Sequence, residues 1–418
     1  MKLAVVGGGS TYTPELIDGF ARMRGTLPIE ELWLVDTDAS RLALVGGMSE
    51  RMFRAAGHTG RVVPTTDLVA GVSDADAVLI QLRVGGQDAR RGDETFPHAC
   101  GCIGQETTGP GGFAKALRTV PVVLRVAEAV RRHAKPDAWI VDFTNPVGIV
   151  TRALLQEGHR AVGLCNVAIG FQRRFAAMLG VAPASVRLDH VGLNHLTWER
   201  GVFVDGRDAL PALLGERVDD LADEVELPAS LLSLLGMVPS YYLRYYYAHD
   251  DVLREQEGAR TRADAVQDVE RALLDLYADP AQETKPEALS KRGGAFYSEA
   301  AVDLIASLRS DRQDVQVVNL RNDGVLPFLP DDHVIEVPAV VGASGVAALP
   351  AAPLPDDVAG LISHVAAYER LALDAAIHGG RDRVRRAMLA HPLVQQYDRA
   401  EKLTDLLIAG NREHLAWA

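Results

Sequence analysis

The chain has 418 residues, of which 48% are apolar, 24% charged and 6% aromatic, which excludes wholesale disorder and suits one large or a few smaller globular domains. Lys and Arg number 43 against 56 Asp and Glu, a net charge of −13, so phosphate backbones are repelled and nucleic acid is not an expected partner. No apolar run approaches the ~18 residues that cross a bilayer, the opening apolar run is too short for a secretory signal, and three cysteines cannot form a disulfide framework; a reduced, cytoplasmic enzyme without a membrane partner is expected.

Lys2-Leu3-Ala4-Val5-Val6 is a short apolar run suited to a buried parallel strand. Gly7-Gly8-Gly9 follows, and then Pro14 where a helix begins, so the opening reads strand, glycine turn, helix. Further strands are expected at 31–35 (ending on Asp36), 77–82, 139–143 and 161–164, with helices between them, as at 42–56 and 120–133. This alternation gives a doubly wound parallel sheet, a Rossmann-like α/β domain over residues 1–165. From 166 to 418 the pattern becomes a mixed α+β lobe. Period-two stretches lie within 187–204 and at 315–318 and 334–337, and helical periodicity covers most of 208–310 and 356–416. The Ala, Pro and Gly-rich stretch 342–355 reads as loop.

The turn at Gly7 and Gly9, with Ser10 and Thr11, stands where a dinucleotide pyrophosphate would meet a helix N-terminus, although Tyr12 replaces the third glycine of the usual fingerprint. Asp36 closes the second strand, where an acid bonds the ribose hydroxyls of NAD and disfavours a 2′-phosphate. A structural glycine turn without nucleotide is the alternative. Arg83 leaves the third strand, followed by Arg90 and by a Gly- and Thr-rich stretch, 104–112, that reads as a flexible polar loop. Asn145 puts an amide at the rim after the fourth strand. Cys165 and Asn166 follow the fifth strand on the ligand-binding rim, and His195 comes thirty residues after Cys165. Taken singly, such a Cys and His are far more often core residues than metal ligands, and Cys100-x-Cys102, without a second pair, is structural. Half of the ten tyrosines fall in Tyr241–Tyr247, which suits a helix packing one stripe on the core while one phenol serves as acid or base.

Ten segments in one order carry a resemblance to a known family: GGGSTYTPEL (7–16), QLRVGG (81–86), IGQETTGPGGF (103–113), DFTNPVG (142–148), GLCNV (163–167), GLNHLTW (192–198), YLRYYY (242–247), KRGGAFYS (291–298), LRNDGVLPFLPDDHVIEVP (320–338) and AHPLV (390–394). Together they resemble glycoside hydrolase family 4, and within it the 6-phospho-β-glucosidases. The resemblance implies a lactate/malate dehydrogenase-like architecture, NAD, and a divalent metal, typically manganese, on Cys165 and His195. It also implies a phosphosugar substrate contacted by Arg90, Asn145, Asn166 and Arg262, with cofactor contacts from Gly7, Gly9, Ser10, Thr11, Asp36 and Arg83. Tyr242 matches the catalytic base, with Tyr241 as the competing position. Asn166 stands where the α-linked enzymes carry an Asp, and an amide cannot donate that proton. The implied reaction is oxidation of the sugar at C3, removal of the C2 proton, elimination of the aglycone, water addition at C1 and re-reduction, outside the two-carboxylate scheme of most glycosidases. A homo-oligomer is expected. The alternatives are a family member cleaving another glycoside, a simple 2-hydroxyacid or sugar dehydrogenase, and a non-catalytic NAD sensor.

Overall fold

The computed structural model describes residues 1–292 and 296–418; Gly293, Gly294 and Ala295 of the KRGGAFYS segment lie outside the described residues. Six parallel strands come first: β1 (Lys2–Val6), β2 (Glu31–Val35), β3 (Arg61–Thr65), β4 (Ala77–Ile80), β5 (Trp139–Asp142) and β6 (Ala161–Gly163), in the spatial order 3-2-1-4-5-6. That is the dinucleotide-binding order of a doubly wound sheet. β1, β4 and β5 bury nearly every residue, because helices cover both faces, and each fully buried Val or Leu is worth about 1.5–3 kcal/mol. β3 has no counterpart among the expected strands. Pro64 argues against a strand, yet β3 lies at the sheet edge, where a missing N–H costs no ladder bond.

The sheet then continues with antiparallel strands: β7 (Val186–Leu193), β8 (Leu196–Val204), β9 (Arg207–Asp208), β10 (Val238–Pro239), β11 (Asp314–Arg321), β12 (Val334–Gly342) and β13 (Gly345–Ala348). β13 lies inside the stretch expected to be loop. It pairs with β12 through a two-residue turn, a hairpin that its small residues conceal from any alternation pattern.

The seam between the two halves is thin. β11 meets β6 through a single residue pair, Asn319 opposite Gly163, and β12 meets β7 through another, Glu336 opposite Gly192. Gly163 makes room there, since a Cβ on it would come 2.1 Å from Thr151 Oγ1 and 2.8 Å from Asn319 Cβ; one on Gly192 would lie 2.0 Å from the Leu196 carbonyl oxygen, inside the β7–β8 hairpin.

The helix Gly109–His133 begins well before the expected 120, and Gly109, Pro110, Gly111 and Gly112 are buried, so the stretch 104–112 is packed interior and not a flexible loop. A Cβ on Gly111 would lie 2.3 Å from the Asp93 carbonyl oxygen and 2.4 Å from that of Gln105. Glycine here serves close backbone approach, which composition alone does not separate from flexibility. The helix Arg262–Ala278 packs back on the helices Ala39–Ala55 and Gly86–Thr95 and so returns the second lobe to the first. No helix among the described residues is long and apolar enough to cross a membrane.

Gly163→Ala is expected to cost about 1–3 kcal/mol through overpacking at the seam, seen as a lower denaturant midpoint. An unchanged midpoint would show that the seam yields freely.

Candidate active site

Gly7 takes φ +91° and would, with a Cβ, lie 2.5 Å from the Gln81 carbonyl oxygen. The Gly9 N–H donates to Asp36 Oδ2 (2.9 Å) and the Asp38 N–H to Asp36 Oδ1 (3.1 Å), so Asp36 ties the turn to the end of β2. Gly8 was not singled out by its pattern, yet its Cβ would fall 2.8 Å from Leu34 Cα. The second lobe reaches over this turn. Arg292 Nε donates to Thr11 Oγ1 (2.8 Å) and its Nη2 to Ser10 Oγ (3.4 Å) and Glu270 Oε1 (3.2 Å), while the Tyr277 hydroxyl donates to the Thr11 carbonyl (2.7 Å). Ser10 and Thr11 therefore sit between a helix N-terminus and a partly buried arginine, a setting that favours an anion.

Arg83, after β4, and Arg90, on the helix Gly86–Thr95, meet on one carboxylate. Glu106 is ion-paired to Arg83, to Arg90 Nη2 (3.2 Å) and to Lys115 Nζ (2.7 Å), and Arg90 Nε also pairs with Glu94 (2.7 Å). Two arginines and a lysine thus share two carboxylates in a largely buried place. Burial works against the charge on Glu106, but Arg83, Lys115 and Arg90 hold it well below the usual carboxylate range. Burial pulls Lys115 down to about 7, with Glu106 opposing. Glu106 and Lys115 went unrecognised in the sequence; a lone acid in an otherwise uncharged Gly- and Thr-rich stretch was the available signal.

Cys165 lies two residues beyond the end of β6, and His195 sits in the turn between β7 and β8 with φ +64°. Both are buried. His195 Nδ1 meets Thr107 Oγ1 at 3.0 Å, and its ring lies flat on Tyr242, centroids 3.7 Å apart and planes 7° apart. Burial lowers His195 to about 4, which keeps its imidazole neutral at ordinary pH. Burial pushes the Cys165 thiol up to about 12, helped by Glu336 and opposed by hydrogen bonds from the Val167 N–H, Asn194 and Tyr297. The Tyr242 phenol is raised well above its usual range, first by burial and next by Cys165. A neutral imidazole and a sulfur already receiving hydrogen bonds fit a divalent ion. No group of three His, Cys, Asp or Glu ligands exists among the described residues, so such an ion would keep positions open for oxygens from outside the chain.

The tyrosine-rich segment is a short 3-10 turn, Tyr241–Leu243, followed by the one-turn helix Arg244–Tyr247, and not the amphipathic helix expected. This separates the two candidates. Tyr242 faces His195, whereas Tyr241 is exposed and its hydroxyl accepts from Arg244 Nη1 (3.2 Å). Asn145 follows β5, and among the described residues its buried Oδ1 has no hydrogen-bond partner. Asn166 occupies the N-cap position of the helix Val167–Leu179, next to Cys165, and its side chain makes no capping hydrogen bond. Arg262 is the exception. It is exposed at the first residue of its helix, and its Nη2 donates to the Lys291 carbonyl (3.0 Å), while only the neighbouring Ala263 N–H reaches Glu94 (2.8 Å). Cys102 is buried with its Sγ on the Leu393 carbonyl (3.6 Å), in keeping with a structural role.

Residues 2–181 match the family 4 glycosyl hydrolases and residues 190–394 the C-terminal domain of the same family. The chain belongs to glycosyl hydrolase family 4. This family 4 chain is 38% identical to a probable 6-phospho-β-glucosidase of Bacillus subtilis over 99% of its own length and 97% of the relative's. It is 28% identical to the phospho-α-glucosidase PagL of Clostridium acetobutylicum, over 98% of each chain. The 6-phospho-β-glucosidase of Thermotoga maritima, solved with manganese, NAD⁺ and glucose-6-phosphate, superposes with a TM-score of 0.92 at 33% identity over 99% of both chains. A malate dehydrogenase of Salinibacter ruber matches at a TM-score of 0.55 and 18% identity over 91% of this chain and 99% of its own, which establishes the shared architecture alone.

Asp142 ends β5 one turn from Asn145, fully buried, with Oδ1 accepting from the Thr144 N–H (3.0 Å) and Oδ2 without a partner among the described residues. Burial pushes its carboxyl up to about 8. The folded state then holds a proton that the unfolded chain releases near pH 4, so this group's stability is intact below pH ~4 and is lost as pH rises toward 8. Asp142→Asn, which mimics the protonated form, is expected to match the parent at pH 4 and to exceed it in thermal midpoint increasingly up to pH 8. A difference independent of pH would show that Asp142 is ionised in the fold.

Proposed function

We propose that this family 4 hydrolase cleaves 6-phospho-β-glucosides by oxidation and elimination. The observation that carries the reading is the Tyr242 ring lying on His195 beside Cys165, next to the arginine–lysine cluster on Glu106. NAD, when bound, supplies a hydride acceptor for the sugar C3, and a divalent ion such as manganese supplies a Lewis acid for the oxygen there. Cys165 and His195 would hold that ion. Gly7, Gly9, Ser10, Thr11, Asp36 and Arg83 form the cofactor side of the cleft, within residues 1–165, and the lobe 166–418 contributes Tyr242 and the histidine.

Arg90 and Asn145 bind the sugar: Arg90 carries charge that can pair with a phosphate, and the Asn145 carbonyl oxygen can accept from a hydroxyl. Asn166, an amide where a proton donor would be an acid, orients substrate. Arg262 contributes to the phosphate only if its exposed guanidinium leaves the Lys291 carbonyl. Tyr242 takes the C2 proton. Its phenol is neutral in the bare site, so its removal of a proton depends on the positive charge that the loaded site adds. The β-linkage rests on the greater identity with β-type relatives, 38% against 28% for the α-type enzyme. A cytoplasmic location suits a phosphorylated substrate and three free cysteines.

Incubation with an aryl 6-phospho-β-glucoside and its unphosphorylated counterpart tests the reading. Hydrolysis is expected only of the phosphorylated sugar and only with NAD⁺ and Mn²⁺ present. Cleavage of the unphosphorylated sugar alone contradicts the phosphosugar assignment, and stoichiometric NADH release without cleavage indicates a dehydrogenase.

Tyr242→Phe removes one hydroxyl and is expected to lower turnover by roughly 10²–10⁴ with NAD and metal affinity retained. Tyr241→Phe is expected to be nearly silent. Reversal of those two results would move the base to Tyr241.

A further inference from the structure

A chain of buried polar side chains runs along the seam of the sheet and ends on Cys165. His190, on β7, faces Glu199 Oε1 of β8 through Nδ1 (2.6 Å) and Glu336 Oε1 of β12 through Nε2 (3.0 Å). Two carboxylates can be satisfied at once only by an imidazole carrying both protons. Burial alone would lower the His190 pKa; Glu199 and Glu336 outweigh it and push it up to about 10. The other oxygen of Glu336, Oε2, accepts from Asn194 Nδ2 (2.8 Å) and from Asn319 Nδ2 (2.8 Å). The Asn194 side chain also lies near enough to the Cys165 sulfur to favour its ionised form.

The chemistry of an amide makes this arrangement directional. Asn194 has hydrogens only on Nδ2, and a flipped amide would set its carbonyl oxygen against a carboxylate. Glu336 therefore selects the rotamer that leaves the second Nδ2 hydrogen for the Cys165 sulfur. The His190 cation fixes Glu336 in turn, from a strand that meets β12 through one residue pair only.

We propose that Glu336, clamped by His190, is a positioning residue that orients Asn194 toward the Cys165 sulfur and thereby presets that sulfur for a divalent ion. The inference rests on the reading that Cys165 and His195 hold the ion. Groups behind the ligands of a metal typically contribute 10–100-fold in affinity by this kind of orientation.

Binding of Mn²⁺ to the full chain, followed by the electron paramagnetic resonance of the free ion, separates this role from a merely structural one. Glu336→Gln keeps the shape of the side chain but presents an N–H to one of its present donors. It is expected to weaken Mn²⁺ binding about 10-fold or more, with NAD affinity and circular dichroism unchanged. Should that variant fail to fold, Asn194→Ala leaves the Glu199–His190–Glu336 bridge in place and is expected to give the same loss. A folded Glu336→Gln or Asn194→Ala protein with parental Mn²⁺ affinity overturns the proposal. Cys165→Ser identifies which reading has failed. Parental Mn²⁺ affinity in Cys165→Ser overturns the metal assignment and the inference with it. Loss in Cys165→Ser alone overturns only the inference.

Discussion

On either side of the β11–β12 ladder the backbone supplies one residue pair, and at the β7–β12 junction a buried imidazolium, set between the carboxylates of Glu199 and Glu336, bridges the strands within the shared apolar core. A buried charge of this kind is costly unless it is fully paired, and His190 is paired on both nitrogens. The position of the seam decides where the chemistry falls. Cys165 leaves the last parallel strand on one side of it, and His195 turns between the first two antiparallel strands on the other. Gly163, opposite Asn319, lets β6 and β11 approach closely, whereas Gly192 makes room for the return of the chain into β8.

Charge is arranged around the cleft in two separate ways. Glu106 gathers Arg83, Arg90 and Lys115, so its loss would leave these basic side chains facing one another in a largely buried place. Separately, burial keeps His195 neutral and Cys165 and Tyr242 protonated. A site built this way carries no thiolate or phenolate until positive charge enters it. Burial, which raises the cost of every lone anion, also makes each of these groups responsive to a cation beside it.

Much of the fold was legible in the sequence, because buried parallel strands are continuous apolar runs and five of the six stood out that way. β3 was hidden by Pro64 and β13 by small residues, and the start of the helix Gly109–His133 by glycines whose role is close packing. Cys165, His195, Asn145 and Tyr242 were legible through the segments that contain them. Glu106, Lys115, His190 and Glu336 were not, since their meaning lies in partners far along the chain: His190 and Glu336 are 146 residues apart. Arg262 shows the converse, a segment match whose side chain is engaged at the surface. Local pattern reports which residues are present and which faces are buried, and the crossing of strands decides which of them meet.

The central claim is that the glycosidic bond breaks by elimination after a C2 proton has been removed. The most direct measurement is hydrolysis of an aryl 6-phospho-β-glucoside in D₂O, followed by mass spectrometry and proton resonance of the released glucose 6-phosphate. Deuterium at C2 of the product is the expected result. A product with hydrogen fully retained at C2, formed at the normal rate, would contradict the account.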